Sequence, residues 1–312
     1  MNIGIFGASG FIGANLLKLF QKNGHSCVGI SRVSNVGQTN SVNTQIEFSN
    51  ADILARNLSD LHISHVINAI GMAHDKRKID DKIKKAYYKV NVEIAAKIAE
   101  ASKLANVTQL IHLSSSKVYG NLVQQRAPSE ENYCNQLDIY GATKLNGEKA
   151  VCEVLENSTT SNLIVRMPLV YGPGVKGNLK TLTRLLSGWF PLPLNGIVSN
   201  QRSLLSIYNL YAFLENCLFS RSDVNGIFNI KDHQDYSTAE IVRRINRANN
   251  FSNQNFNINE VVLDKFLGVI APSYQERLTR DNVICDLKAR KQLGWIPHTS
   301  KDEDFIFISG DE

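Results

Sequence analysis

Three glycines within the first thirteen residues restrict this chain more than anything after them. Gly7, Gly10 and Gly13 stand in GASGFIG, after the apolar run Asn2–Phe6 and before an amphipathic stretch, Phe11–Asn23. In that stretch Ile12, Leu16, Leu17 and Phe20 share one face. The run has the length of a buried strand, and the spacing after it is that of a helix. A glycine turn between the two bends the chain tightly, lets a pyrophosphate approach the backbone, and lets helix pack on strand. Open N–H groups and the dipole at the helix start favour phosphate. The opening therefore predicts a dinucleotide site formed by Gly7, Ser9, Gly10, Phe11, Ile12 and Gly13.

The same alternation continues. Cys27–Ile30, Ile46–Ser49, His65–Ile70, Gln109–Leu113 and Leu163–Val165 read as strands, Tyr87–Leu104 and Ile139–Leu155 as helices. Strands alternating with helices imply a parallel sheet covered on both faces, with right-handed crossovers. Beyond Met167, Pro168, Pro173, Pro191 and Pro193 sit near Gly172, Gly174, Gly177 and Gly196, so loops dominate. Helical pieces recur there at Leu179–Ser187, Asn209–Phe219, Thr238–Asn249 and Asn259–Leu267. The expected fold is α/β: a Rossmann-type doubly wound parallel sheet with a smaller, irregular C-terminal substrate lobe. Residues 1–166 form the dinucleotide-binding part and 167–312 the lobe, with some later chain returning to the sheet.

Composition narrows the function classes. A net charge of +5 suits small anionic substrates, and no Lys/Arg block marks a nucleic-acid surface. Five cysteines are scattered without a CxxC pair, which predicts reduced thiols in a cytoplasmic setting. The first strand starts almost at Met1, leaving no room for a signal peptide. No apolar run approaches the ~18 residues of a membrane span. Seven histidines lack HxxxH or HExxH spacing, so no metal site is expected. His74 and Lys76 follow the fourth strand's end, where open α/β sheets bind ligands.

Tyr140 and Lys144, in DIYGATKLNG, lie one helical turn apart on one face. A free tyrosine titrates near ~10, and lowering that to ~7 takes about 4 kcal/mol of preferential phenolate stabilisation. A nearby lysine ammonium and the positive ring of an oxidised nicotinamide would supply it. Lys144 would also hold the nicotinamide ribose, and Tyr140 would move a proton as hydride leaves or arrives. At the end of the second strand Ser31 and Arg32 replace the acidic residue of an NAD-preferring site. An arginine there can pair with a 2′-phosphate. The cofactor expected is NAD or NADP(H), with Arg32 tilting slightly toward NADP.

Several segments share a resemblance: the GxxGxxG spacing, Asn68-Ala69-Ile70-Gly71, Asp52-Ile53, Asn91, and Leu113-Ser114-Ser115-Ser116-Lys117-Val118-Tyr119-Gly120. They resemble extended short-chain dehydrogenase/reductases. The stretch from Arg166 to Asn178 and the turn Leu293-Gly294-Trp295-Ile296-Pro297 resemble the NAD-dependent epimerase/dehydratase family acting on nucleotide sugars. The resemblance implies that Ser115 is a third catalytic residue orienting the reacting oxygen, and that Ala69 and Gly71 line the cofactor. It also implies that Asp52 and Ile53 meet the adenine, the alternative for Asp52 being a helix N-cap. Arg202, Lys176 and Asn178 become candidates for the substrate diphosphate. Leu169 stands where many relatives carry asparagine, Asn209 where aspartate is common, and Ser116-Lys117 where dehydratases carry Asp-Glu. Loss of that acidic pair argues against water elimination.

What this implies is oxidoreduction at C4 of a UDP-sugar. A 4-epimerase of UDP-hexose or UDP-N-acetylhexosamine is the first reading, serving surface-polysaccharide synthesis. An NADPH-dependent 4-ketoreductase is the alternative, and a non-catalytic dinucleotide sensor or subunit a third. The resemblance also implies a homodimer paired through helices, one carrying Tyr140.

Overall fold

The structure, a computed structural model, describes residues 1–31, 44–45, 48, 50–73, 79–120, 127–132, 134–135, 138–189, 192–219, 224–251, 256–270 and 272–307. The chain does not divide once near residue 166. One compact unit comprises Met1–Asn121, Glu130–Met167 and Tyr211–Ile230, and the other comprises Leu122–Ser129, Pro168–Leu210 and Lys231–Glu312.

The first unit begins with β1 (Ile3–Phe6), α1 (Phe11–Lys22), β2 (Cys27–Ser31), β3 (Thr44–Gln45), α2 (Ala51–Asp60) and β4 (His65–Asn68). It continues with α3 (Asp81–Tyr88), a π-helical turn (Lys89–Glu93), α4 (Ile94–Leu104), β5 (Gln109–Ser115), α5 (Ile139–Leu155) and β6 (Ser161–Met167). After β7 (Leu169–Tyr171), α6 (Asn178–Leu186), β8 (Leu204–Ser206) and α7 (Ile207–Phe219), β9 (Gly226–Asn229) returns to this sheet. The order is β3-β2-β1-β4-β5-β6-β9, every pair parallel. Ile3 pairs with both Cys27 and His65, placing β1 between β2 and β4. The strand order reverses at β1/β4, and ligands of such sheets bind beyond the carboxyl ends at that reversal.

All of β1, β4 and β5 is buried, as a sheet covered on both faces requires. On one side Phe6, Ile30 and Leu110 of the sheet pack with Leu54, Leu58, Ile98 and Val151 of α2, α4 and α5. Each such side chain contributes about 1.5–3 kcal/mol. A third strand lies at Thr44–Gln45, and of the expected strand Ile46–Ser49 only Phe48 is described. Ile46, Glu47 and Ser49 fall outside the described residues, as do Arg32, His74 and Lys76. The single helix expected over Tyr87–Leu104 is interrupted by the π turn, and α3 before it is capped by Asp80, whose carboxylate accepts from Ile83 N. β9 was not read from sequence because GIFN is four residues with no periodic context.

In the second unit β7 and β8 pair in parallel, and α8 (Thr238–Ala248), α9 (Glu260–Ile270), α10 (Pro272–Thr279) and α11 (Leu287–Leu293) follow. Its polar centre is Asp232, fully buried. Its carboxylate accepts from Ser206 N at 2.9 Å, Asn209 Nδ2 at 2.7 Å, Tyr171 Oη at 2.7 Å and Ser300 Oγ at 2.9 Å. Burial raises its pKa, and those bonds pull it back. Asn209, which departs from the family's aspartate, thus donates to an acid supplied from elsewhere. Asp232→Ala strands several buried donors at once, so it is expected to cost about 3 kcal/mol or more. The midpoint of urea unfolding measures this, and an unchanged midpoint would reject it. Among the described residues no helix is long and apolar enough to cross a membrane.

Candidate active site

The glycine turn closes against the end of β4. Gly7 has φ +81°, and a Cβ on it would come 3.0 Å from the backbone carbon and oxygen of Ala69. A Cβ on Gly13 would lie 2.3 Å from Gly7 O, so helix and turn touch through bare backbone. Gly10 caps α1 in an extended conformation with no side-chain hydrogen bond. The first-turn N–H groups, from half-buried Phe11 and Ile12 and from buried Gly13, therefore face no capping side chain. That cradle fits the diphosphate of a dinucleotide. Ser9 is exposed at its lip, and Ser31 is buried at the end of β2, next to the Ile30 carbonyl that accepts from Gly7 N at 2.9 Å.

Asn68 sets the loop after β4. Its Oδ1 accepts from Ile70 N at 3.0 Å, which leaves its Nδ2 to donate to His112 Nδ1 at 3.1 Å. Burial and the nearby Lys144 charge push the His112 pKa well down, so the ring is neutral. Three residues after Asn68, the exposed Gly71 lies where a Cβ would be 4.0 Å from Lys144 Nζ and 3.7 Å from Asn91 Oδ1.

Ser115 ends β5, and its Oγ accepts from Lys117 N at 3.2 Å, starting a 3-10 turn. Its hydroxyl also acts on Tyr140, pulling the phenol pKa downward. Tyr140 is the second residue of α5, half-buried, in a turn capped by Asp138, whose Oδ1 accepts from Gly141 N at 2.7 Å. Lys144 is buried one turn later and donates from Nζ to Leu113 O at 2.6 Å. Gly7, Ala69, Gly71, Lys144, Ser115 and Tyr140 thus form one contiguous row. Ser114, by contrast, turns to Glu148 and gives its hydroxyl proton there.

The charge balance differs from the expectation. Burial foremost, with Asp138 and Tyr87, holds Tyr140 above its ordinary pKa, and the Ser115 hydroxyl opposes them. The Lys144 side chain is turned to Leu113. The ammonium is engaged by the Leu113 carbonyl, and burial brings its own pKa down to about 8, against the raising effect of Glu148. Glu148 is itself buried and meets Arg166 at 2.7 Å. Arg166 spends its remaining fork on Tyr119 Oη at 3.0 Å, so it is part of the scaffold.

Sequence reasoning noticed Asn91 but not its partners. Asn91 Nδ2 donates to Thr143 Oγ1 at 2.9 Å and to Met72 O at 3.2 Å, while its Oδ1 accepts from Met72 N at 2.8 Å. The π turn places this buried amide between the loop after β4 and α5, a common use of such turns. Gly147 makes the approach feasible, because a Cβ there would sit 2.2 Å from Asn91 O. Gly147→Ala must push α5 off that turn and is expected to cost about 2 kcal/mol. Thermal unfolding would register it; a melting temperature equal to the parent's would count against the contact.

Asp52 and Ile53 lie exposed in the first turn of α2. The N-cap alternative for Asp52 is replaced by Asn50, whose Oδ1 accepts from Asp52 N at 2.8 Å and Ile53 N at 3.2 Å. No hydrogen bond among the described residues joins either to the glycine turn.

In the second unit Lys176 and Asn178 are exposed and Arg202 is half-buried. Arg202 exchanges backbone bonds with Tyr236 at 3.0 and 2.9 Å, and its guanidinium donates to Arg280 O at 3.1 Å. Burial lowers its pKa and Asp281 opposes this. Arg277, which sequence reasoning missed, donates to Asn178 Oδ1 at 3.3 Å. Only the fold could have brought Arg277 to Asn178.

The family model described as NAD dependent epimerase/dehydratase matches residues 3–207. The chain belongs to that family. With it the chain joins the NAD(P)-dependent epimerases and reductases of the extended short-chain dehydrogenase/reductase type. A UDP-glucose 4-epimerase of Vibrio cholerae is 32% identical over 244 residues, covering 77% of this chain and 73% of that protein. An N-acetyl-alpha-D-glucosaminyl-diphospho-ditrans,octacis-undecaprenol 4-epimerase of Escherichia coli O157:H7 is 23% identical over 255 residues, covering 80% of this chain and 72% of that protein. The fold is shared with a solved UDP-glucose 4-epimerase from Brucella ovis in complex with NAD. That likeness has a TM-score of 0.78 at 17% identity, covering 98% of this chain and 96% of that one.

Proposed function

We propose that this family member is a 4-epimerase of a nucleotide-diphosphate hexose. The carrying observation is buried Lys144, held by Leu113 O one helical turn after Tyr140, with Ser115 acting on the Tyr140 hydroxyl, beside the Gly7–Gly13 cradle. The 4-epimerases among its relatives support the same chemistry. The ketoreductase reading rests on Arg32, which lies outside the described residues, so epimerisation is the reading put forward.

The cradle residues Gly7, Ser9, Gly10, Phe11, Ile12 and Gly13 would hold the dinucleotide's diphosphate, Ala69 and Gly71 the adjoining backbone wall, and Lys144 the nicotinamide ribose. Ser31 and Arg32 would face the adenosine ribose, and Asp52 and Ile53 the adenine. When bound, the dinucleotide supplies a reversible hydride acceptor. Tyr140, fixed by Ser115, takes the proton of the sugar C4 hydroxyl and gives it back after the sugar has turned over. Ser115 orients that oxygen. Arg202, Lys176, Asn178 and Arg277 would bind the substrate diphosphate, of which UDP is the one named in the relatives. The proposal includes a homodimer involving α5, which sedimentation velocity would measure.

Unfolding the purified protein and identifying the released dinucleotide tests the reading. Near-stoichiometric NAD(P) supports it. An empty protein that binds NADPH reversibly would favour the reductase instead.

A pH profile gives a second test. Lys144 carries its charge below about pH 8 and loses it above, so kcat/KM is expected to fall on the alkaline side of that value. Glu148 is the charge that raises the Lys144 pKa, so Glu148→Gln should move the fall to lower pH. An alkaline limb that stays put in this variant would remove Glu148 from the account.

A further inference from the structure

The buried histidine of β5 has no part in the chemistry proposed so far. His112 stands at the middle of that strand, wholly buried, and is paired in register with Asn68 at the end of β4. Asn68 Oδ1 is taken by Ile70 N at 3.0 Å, so the amide group turned to His112 is the donor Nδ2. The imidazole Nδ1 must therefore accept, which puts the single ring proton of the neutral form on Nε2. A second proton would set donor against donor across 3.1 Å, and burial and the Lys144 charge both act against it.

Packing alone does not account for a histidine here. Its Nε2 is buried with no hydrogen-bond partner among the described residues. It faces Gly147 of α5, where a Cβ would stand 3.8 Å away. An unsatisfied buried donor costs about 1–3 kcal/mol, and a phenylalanine or leucine in the same place would carry no such penalty. What the ring provides is the Nδ1 lone pair, and its effect reaches the glycine turn in two steps. Nδ1 holds Asn68, and Asn68 holds Ile70 N. That nitrogen would lie 3.1 Å from a Cβ on Gly7, with the Ala69 carbonyl carbon and oxygen at 3.0 Å. Ala69 N is itself tied to Phe6 O at 3.0 Å, and the far end of the loop is tied through Met72 to Asn91. The loop after β4 is thus pinned at both ends, and His112 backs the first pin.

We propose that His112 is a positioning residue of the dinucleotide site: by accepting from Asn68 it keeps the Ala69–Gly71 backbone seated against the glycine turn. The inference rests on the reading that Ala69 and Gly71 wall the dinucleotide, and not on the identity of the sugar. With the acceptor removed, the Asn68 amide is free to turn, Ile70 N loses its partner, and the loop is seated only part of the time. Apparent affinity for the dinucleotide then falls in proportion to the seated fraction.

Fluorescence titration of the full chain with reduced dinucleotide tests it. An asparagine side chain can put its oxygen where the imidazole has Nδ1, whereas glutamine puts its polar group near the place of Nε2. His112→Asn should therefore stay within about twofold of the parent, while His112→Gln and His112→Phe should each bind about tenfold more weakly. Asn68→Leu should lose at least as much, and adding His112→Phe to it should lower affinity no further, because the pair acts as a unit. A ring kept only to fill the core would make phenylalanine the best substitute, and its loss would add to that of Asn68→Leu. Nitrogen NMR of protein labelled in histidine should show the His112 proton on Nε2, its signal identified by its absence from His112→Asn. Parent-like affinity in the glutamine and phenylalanine variants, additive losses, or a proton on Nδ1 would overturn the inference and leave the dinucleotide site standing. A parent that binds no dinucleotide would overturn that site and this inference with it. If His112→Phe loses the parent's circular dichroism, His112→Gln decides alone.

Discussion

Tyr140→Phe is expected to lower turnover by about a thousandfold while leaving fold and dinucleotide binding intact. The hydroxyl is the group on which Ser115 acts, and the half-buried ring stays in place without it. A thousandfold loss in kcat/KM corresponds to about 4 kcal/mol of transition-state stabilisation. KM should change little, because the phenol moves a proton and is not the main grip on a nucleotide diphosphate. The raised pKa of Tyr140 makes this effect sharper. Held protonated by burial, the hydroxyl is a proton donor at neutral pH and becomes an acceptor only when positive charge is brought beside it. Steady-state kinetics of parent and variant decide it, with a dinucleotide titration as the control. Near-normal kcat in Tyr140→Phe would remove Tyr140 from the chemistry.

Gly13→Val should abolish dinucleotide binding for a different reason. Even the first added carbon would sit 2.3 Å from Gly7 O and 2.7 Å from the carbon of the same carbonyl. Neither atom belongs to a flexible side chain, so α1 must move away from the turn. Overpacking of this kind costs about 1–3 kcal/mol, and here it falls directly on the N–H groups that would meet the diphosphate. Affinity for NAD(P) should fall by about a hundredfold. The melting temperature should fall as well, because α1 packs Leu16, Leu17 and Phe20 into the core. Fluorescence titration with reduced dinucleotide measures the loss. Affinity equal to the parent's would show that the cradle does not hold the cofactor.

What could be read from the sequence was what local geometry determines. The glycine turn is a strand–turn–helix pattern within a dozen residues, and Tyr140–Lys144 is an i, i+4 spacing on a single helix. The helix Ile139–Leu155 was read with its observed bounds because its cap, Asp138, and its apolar pattern are contiguous. What could not be read depends on residues far apart in the chain. Asn91 gains its position from Met72 and from Thr143, 19 and 52 residues away. The π turn that exposes it to both has no signature in KVNVE. Glu148 and Arg166 meet because α5 packs over β5 and β6, and the burial and Glu148 charge that set the Lys144 pKa are likewise absent from the Tyr–Lys spacing. The return of β9 beside β6 is likewise tertiary, with Arg166 in register with Asn229.

The central claim is epimerisation at C4 by the row from Gly7 to Tyr140. It is tested most directly by incubating the purified protein with UDP-glucose and with UDP-N-acetylglucosamine, adding no dinucleotide, and following the sugar by proton NMR. The expected result is conversion of one of them to an equilibrium mixture with its 4-epimer, abolished in Tyr140→Phe. Recovery of both sugars unchanged, together with consumption of NADPH only when a 4-keto sugar is supplied, would contradict it and assign the protein to one-way reduction.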